Sequence, residues 1–322
     1  MSTRRRVSLF ESVLEVPAED LQIELGRWSP LAWSDFLLNP RRLRGSDFLM
    51  RWSQGEWSED RITEAVNHTN DFFALPYGPS GVAPDEDVKA VELYFERLQA
   101  AGLDDMKRPD LLIFNRSDKG RVEESVSRFS GIGELPFTPE DGLGDLLSRA
   151  LVAVECENSL WKCSMMPDFG KPLRPMARLG GRPGLPKGAV VPTIILKEED
   201  RIPLCDWQQK RGVPIHIWHV FFDKAYGIAL DDAERLIREG AIESSEQVFQ
   251  AAGGPTTRKI IYKIYYHHAY EVGVSRDEPQ LEAAFVEDKN GHILPYVKFR
   301  GGSLALNEQA LARLRSIARK RT

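Results

Sequence analysis

The sequence predicts an α/β protein whose centre is flanked by a helical N-terminal region and an α+β C-terminal region. Three observations predict this. Short apolar runs of strand length at 111–114 and 151–157 are separated by segments with helical spacing. Residues 1–80 are rich in Trp and Phe and poor in β-branched runs. From Gly253 onward the texture is β-rich until a basic final helix. The 322 residues are enough for one large domain or two modest ones with a substantial core. A composition of 42% hydrophobic and 28% charged residues excludes a disordered chain or a fibre. No apolar run approaches the roughly 20 residues of a membrane span, and no repeat marks a solenoid.

The elements follow in order. Residues 1–82 read as several short helices closed by the loop Pro76-Tyr77-Gly78-Pro79-Ser80-Gly81. Residues 86–100 read as a helix with Val88, Val91, Phe95 and Leu98 on one stripe. A strand at 111–114 follows, then a polar surface excursion at 116–142, a helix at 143–150 and a strand at 151–157. Further strands are expected at 190–197, 213–223 and 225–230, with Asp231-Asp232 capping a helix at 233–239. Residues 259–274 and 281–299 carry strand texture, with a hairpin signal at Asp288-Lys289-Asn290-Gly291. Asn307 is placed to cap a last helix rich in Arg and Lys. The domains are then a helical region at 1–82, a core at 83–250, and an α+β region at 251–322.

The chemistry concentrates at one strand. In Ala153-Val154-Glu155-Cys156-Glu157 side chains alternate, so Val152, Val154 and Cys156 share a buried face and Ala153, Glu155 and Glu157 share the other. Two neighbouring carboxylates repel and raise each other's proton affinity, which something positive must relieve. A divalent ion with oxygen ligands is the natural candidate. Asp110, in Arg108-Pro109-Asp110, stands at the mouth of the 111–114 strand, where Pro109 is tolerated because its missing N–H is not needed. If the two strands are neighbours, Asp110 and Glu155 can share one ion, with the carbonyl oxygen of Cys156 as a further ligand.

Pro109-Asp110 followed by Glu155-x-Glu157 resembles the PD-(D/E)xK motif of type II restriction endonucleases, and the run VECENSLWK at 154–162 resembles enzymes of the AccI type. The resemblance covers about residues 86–235. It implies a central mixed sheet of restriction-endonuclease-like type, Mg2+ as cofactor, and a homodimer cutting both strands of a short, specific duplex DNA sequence. Asp110 and Glu155 match the metal ligands. Glu96, with Glu92 as alternative, matches in placement an acid that some members carry on the preceding helix. The third motif position is usually Lys; here it is Glu157, which then positions the water or a second ion, with Lys162 as a displaced positive charge. The 45-residue gap from Asp110 to Glu155 requires an insertion at 116–142.

Charge distribution supports a polyanionic substrate. The net charge is −5, yet no Asp or Glu occurs from Phe169 to Lys197, a stretch holding Lys171, Arg174, Arg178, Arg182, Lys187 and Lys197. A second acid-free stretch, 255–270, carries Arg258 and Lys259 among tyrosines, and the C-terminal helix is basic, which suits region 251–322 to DNA binding or dimerisation. Competing signals fail. Asp168-Phe169-Gly170 lacks every other kinase motif, and there is no P-loop or GxSxG elbow. Three cysteines without a CxxC pair exclude a disulfide scaffold and suit a reducing cytoplasm. His216 and His219 read as core or edge residues. Two other readings stay open: a repair or recombination nuclease that reads DNA structure, and a non-catalytic DNA-binding protein with structural carboxylates.

Overall fold

The computed structural model describes residues 47–79, 94, 96–98, 100–101, 107–159, 161–250, 256–287 and 293–321. In chain order its principal elements are helix α1 (Asp47–Asn67), strands β1 (Phe72–Pro76) and β2 (Leu111–Asn115), helices α2 (Lys119–Arg128) and α3 (Gly144–Arg149), and strand β3 (Val152–Asn158). A two-residue ladder of β4 (Arg174–Pro175) and β5 (Pro183–Gly184) precedes β6 (Thr193–Lys197), α4 (Glu198–Arg211), β7 (Ile215–Val220), β8 (Lys224–Ala229) and α5 (Leu230–Arg238). Then come β9 (Ser244–Gln250), β10 (Thr256–Tyr265), β11 (Tyr270–Ser275), β12 (Gln280–Glu287), β13 (Ile293–Arg300), β14 (Leu304–Leu306) and α6 (Glu308–Arg321).

The protein is mixed α/β, built on a seven-stranded sheet in the order β1-β2-β3-β7-β8-β11-β14. Only β3 and β7 run parallel; the other neighbours are antiparallel. Flanking helices make this arrangement compatible with a restriction-endonuclease-like fold, as expected. The sheet is buried on both faces, so its central strands are nearly continuously apolar. On one face Val152, Val154, Trp218 and Val220 pack against Trp57, Ile62 and Val66 of α1 and Leu314 of α6. On the other, Leu112, Ala153, Ile215 and Ile217 pack against Leu146 of α3, Trp207 of α4 and Leu236 of α5. β6, β10 and β9 form a separate antiparallel sheet, and β12 pairs with β13.

Several sequence expectations need correction. The described part of 1–82 is one 21-residue helix followed by a strand, not several short helices. Phe72 and Phe73 go into opposite cores, a choice that aromatic side chains permit in either helix or strand and that pairing with β2 decides. The segment 116–142 is no surface excursion: Val122 and Val126 of α2, with Leu135 on the following 3₁₀ turn, are buried in the core. Asp231 and Asp232 lie inside the first turn of α5 rather than capping it, where their charge still meets the positive end of the helix dipole. Asn307 does cap α6, its Oδ1 accepting the Ala310 amide at 3.1 Å. The 288–291 turn and most of 86–100 lie outside the described residues, although β12 and β13 pair antiparallel on either side of that turn.

His216 sits on the α1 side of β7, its Nδ1 2.6 Å from the Tyr270 hydroxyl, which also accepts Trp218 Nε1 at 2.7 Å. Burial, helped by the Arg313 charge, pulls its pKa down to about 4. A depressed histidine pKa contributes stability above the unfolded value near 6.5, and loses it as pH falls toward the folded value. The stability difference between the wild type and His216→Gln should therefore shrink by on the order of 1–2 kcal/mol between pH 7 and pH 5. Urea denaturation at a series of pH values measures it, and a pH-independent difference would contradict the assignment.

Candidate active site

Asp110 occupies the turn that starts β2. Its backbone carbonyl accepts the amides of Tyr77 (2.7 Å) and Gly78 (3.0 Å), which tie the turn to the end of β1. Its carboxylate Oδ2 accepts the Cys156 amide at 2.7 Å. The antiparallel register pairs Leu111 with Val154 and Leu112 with Ala153. One step further along that ladder sets Asp110 beside Glu155, on the face shared by Leu112 and Ala153. The convergence inferred from sequence is thus a property of strand register. Gly78 allows the close approach: a β-carbon there would lie 3.0 Å from the Asp110 Cα.

A buried polar hub holds the residue two positions before Asp110. Arg108 donates to the carbonyls of Leu135 (2.9 Å) and Thr138 (2.8 Å) and lies 3.3 Å from Glu140. Glu140 in turn accepts the Tyr77 hydroxyl (2.8 Å), Trp207 Nε1 (2.6 Å) and Arg211 (2.9 Å). The 116–142 segment is therefore the clamp for the Pro109-Asp110 turn.

Glu155 is only 4% exposed. Its Oε1 receives the Lys107 ammonium at 2.5 Å, and its Oε2 is buried with no hydrogen-bond partner. Glu157 receives the ammonium of Lys197 at 2.9 Å. Asp200, in the first turn of α4, lies between the two lysines, 3.7 Å from Lys107 and 3.5 Å from Lys197. Burial raises the pKa of Asp110, Glu155 and Glu157, and the neighbouring Asp110 charge pushes Glu155 further up. Burial pulls both lysines down, but the surrounding carboxylates more than offset it and their pKa values rise on balance. Both lysines stay charged, each by virtue of its acids.

Four carboxylates (Asp110, Glu155, Glu157 and Asp200) thus share two ammonium groups. With all four ionised the cluster lacks two positive charges, the charge of one divalent ion. All-oxygen donors suit a hard cation such as Mg2+, and the orphaned Glu155 Oε2 is a buried acceptor awaiting a partner. As the side chains stand, no three His, Cys, Asp or Glu among the described residues are arranged to hold a metal ion. An ammonium on Glu155 Oε1 is what stands nearest that role.

The other expected residues lie as follows. Glu96 is exposed on a helical turn. Lys162 pairs with Glu278 and lies over the Phe222 ring, whereas Lys107 and Lys197 are the ammoniums on Glu155 and Glu157. Of the basic residues, Lys171 pairs with Asp168, Arg178 with Glu243, Arg258 with Glu246 and Lys259 with Glu199. Arg182 donates to the Leu179 carbonyl at 3.1 Å. Arg174 and Lys187 are exposed. Sequence reasoning missed Lys107 and Asp200; it placed Lys197 in the acid-free basic stretch, and His219 is the core residue it expected. Lys107 carried a faint signal, lying three residues before Asp110. His219 pairs with Glu157 across the parallel β3–β7 ladder, and burial followed by the Lys197 charge depresses its pKa to about 3, so it is neutral.

A family model described as AccI restriction endonuclease matches residues 35–161 and 191–321. The chain belongs to the AccI restriction endonuclease family. It is accordingly a type II restriction endonuclease of the AccI kind, and membership implies an endodeoxyribonuclease acting on DNA. The AccI match spans Asp110, Glu155, Glu157, Lys107 and Lys197 and leaves out 162–190, which holds Lys162 and most of the acid-free basic stretch. Neither curated proteins nor solved structures give a significant match. No helix among the described residues is long and apolar enough to cross a membrane.

Removing Glu140 leaves Arg108 buried beside a lost charge partner. Glu140→Ala should cost about 3–5 kcal/mol of stability and speed amide exchange at Tyr77 and Gly78, the two donors to the Asp110 carbonyl. Unchanged exchange at both amides would mean that β1–β2 pairing alone holds the turn.

Proposed function

We propose that this AccI-family enzyme hydrolyses phosphodiester bonds in duplex DNA at a specific short sequence, with Mg2+, as a homodimer. The observation that carries this reading is the bond from the Cys156 amide to Asp110 Oδ2, which sets two buried carboxylates side by side with one oxygen of Glu155 unpartnered. Asp110 and Glu155 hold the ion, with the Cys156 carbonyl as a further oxygen. When bound, the ion supplies Lewis acidity that acidifies water and offsets charge building on the phosphorus.

The chain's own residues do the rest. Glu157, held by Lys197, accepts a hydrogen bond from the attacking water and orients it. The ammonium of Lys197, whose side chain is 34% exposed, faces the developing phosphate charge in the place first considered for Lys162. Exposed Arg174 and Lys187 on the excursion between β3 and β6 contact the DNA backbone, and Arg178, Arg182 and Lys171 exchange their present partners for phosphates. Dimerisation supplies the second cut.

Plasmid digestion with Mg2+ tests the reading. The wild type should give discrete fragments, and Glu155→Ala should lose about a hundred- to a thousandfold in rate, the scale of one essential electrostatic group. Persistent cleavage by Glu155→Ala would refute the ligand assignment, and smeared or junction-specific products would favour a structure-reading nuclease. Raised carboxyl pKa values add a sign: ligands must shed protons to bind metal. Metal affinity without DNA should therefore rise with increasing pH, with proton release seen as buffer-dependent heat in calorimetry. A flat profile would contradict the raised values.

A further inference from the structure

The Lys107 ammonium nitrogen lies 2.5 Å from Glu155 Oε1. A magnesium ion bound to that oxygen would sit at about 2.0–2.1 Å. Ammonium and divalent ion therefore need nearly the same place, and two such charges repel strongly at that range. The Lys107 side chain keeps 28% of its surface exposed, so a route to solvent is open. It also has a second acceptor in reach, Asp200 Oδ1 at 3.7 Å on the first turn of α4. Lys197 differs: its main partner is Glu157, two residues further along the strand.

We propose that Lys107 is a resident counter-ion that occupies the metal position on Glu155 in the metal-free enzyme, and moves to Asp200 when a divalent cation takes its place. This rests on the reading of Asp110 and Glu155 as metal ligands. It explains how a restriction enzyme keeps a cluster of buried carboxylates folded without metal: the lysine supplies the charge. It also makes metal binding a competition. The lysine's long, flexible stem lets the exchange proceed by side-chain rotation alone. Asp200 is a positioning residue here, since it receives the displaced ammonium and need not touch substrate.

The test measures Mn2+ binding to the full-length protein without DNA, by electron paramagnetic resonance of free Mn2+, alongside thermal unfolding. Lys107→Met should bind Mn2+ roughly tenfold or more tightly than the wild type, because one positive charge leaves the site. The same variant should unfold at lower temperature without metal and show a larger Mn2+-induced rise. Lys107→Arg keeps the charge and should bind like the wild type, and Lys107→Gln serves as a second neutral variant if the Met protein does not fold. Equal or weaker Mn2+ binding by the neutral variants, with binding abolished in Glu155→Gln, would overturn the counter-ion role and leave the ligand assignment standing. Mn2+ binding that Glu155→Gln does not weaken would overturn both.

Discussion

Burying like charges side by side is the constraint on which this end of the molecule is built. Asp110, Glu155 and Glu157 converge where water is largely excluded; burial raises the cost of ionising all three, and the Asp110 and Glu157 charges add to it at Glu155. An arrangement of that kind survives only with compensation close by. The fold supplies it from three sides: the Cys156 amide on Asp110, Lys107 on Glu155 and Lys197 on Glu157. The apolar core, strand register and polar clamp all serve to hold these groups in mutual reach.

The architecture makes the site rigid on one flank and adaptable on the other. The Asp110 turn is fixed by backbone hydrogen bonds to Tyr77 and Gly78 and by Arg108, whose guanidinium is spent on two carbonyls and Glu140. Glu155 and Glu157 are fixed by a strand paired on both sides. The lysines approach by long side chains, Lys107 from the chain entering β2 and Lys197 from the junction of β6 and α4. Carboxylates on rigid backbone and cations on flexible stems suit the proposed metal centre, which would keep its geometry while exchanging charge partners.

Asp223 shows why Lys162 lies elsewhere. Its carboxylate accepts the amides of Cys163 (2.6 Å) and Ser164 (3.0 Å), turning the chain after β3 so that Lys162 meets Glu278 and the ring of Phe222. Five residues of separation from Glu157 looked short enough for a displaced charge. A turn between them is decided by a residue sixty positions later, which no local pattern reveals.

The sequence by itself determined what local periodicity and composition can encode: the alternation of Val152, Val154 and Cys156 against Ala153, Glu155 and Glu157, the strand nature of β2 and β3, the cap at Asn307, and the acids at Pro109-Asp110 and Glu155-x-Glu157. Those follow from side chains a few residues apart, where the period of a strand or the reach of a cap fixes the outcome. Only the tertiary structure decided that β1 joins the sheet, that 116–142 clamps Arg108, and that Lys107, Lys197 and Asp200 complete the acidic cluster. Lys197 and Glu157 are 40 residues apart in the chain and 2.9 Å apart in space. Charge compensation is indifferent to sequence distance: a buried carboxylate takes whichever cation the packing of separate elements brings within a few ångströms.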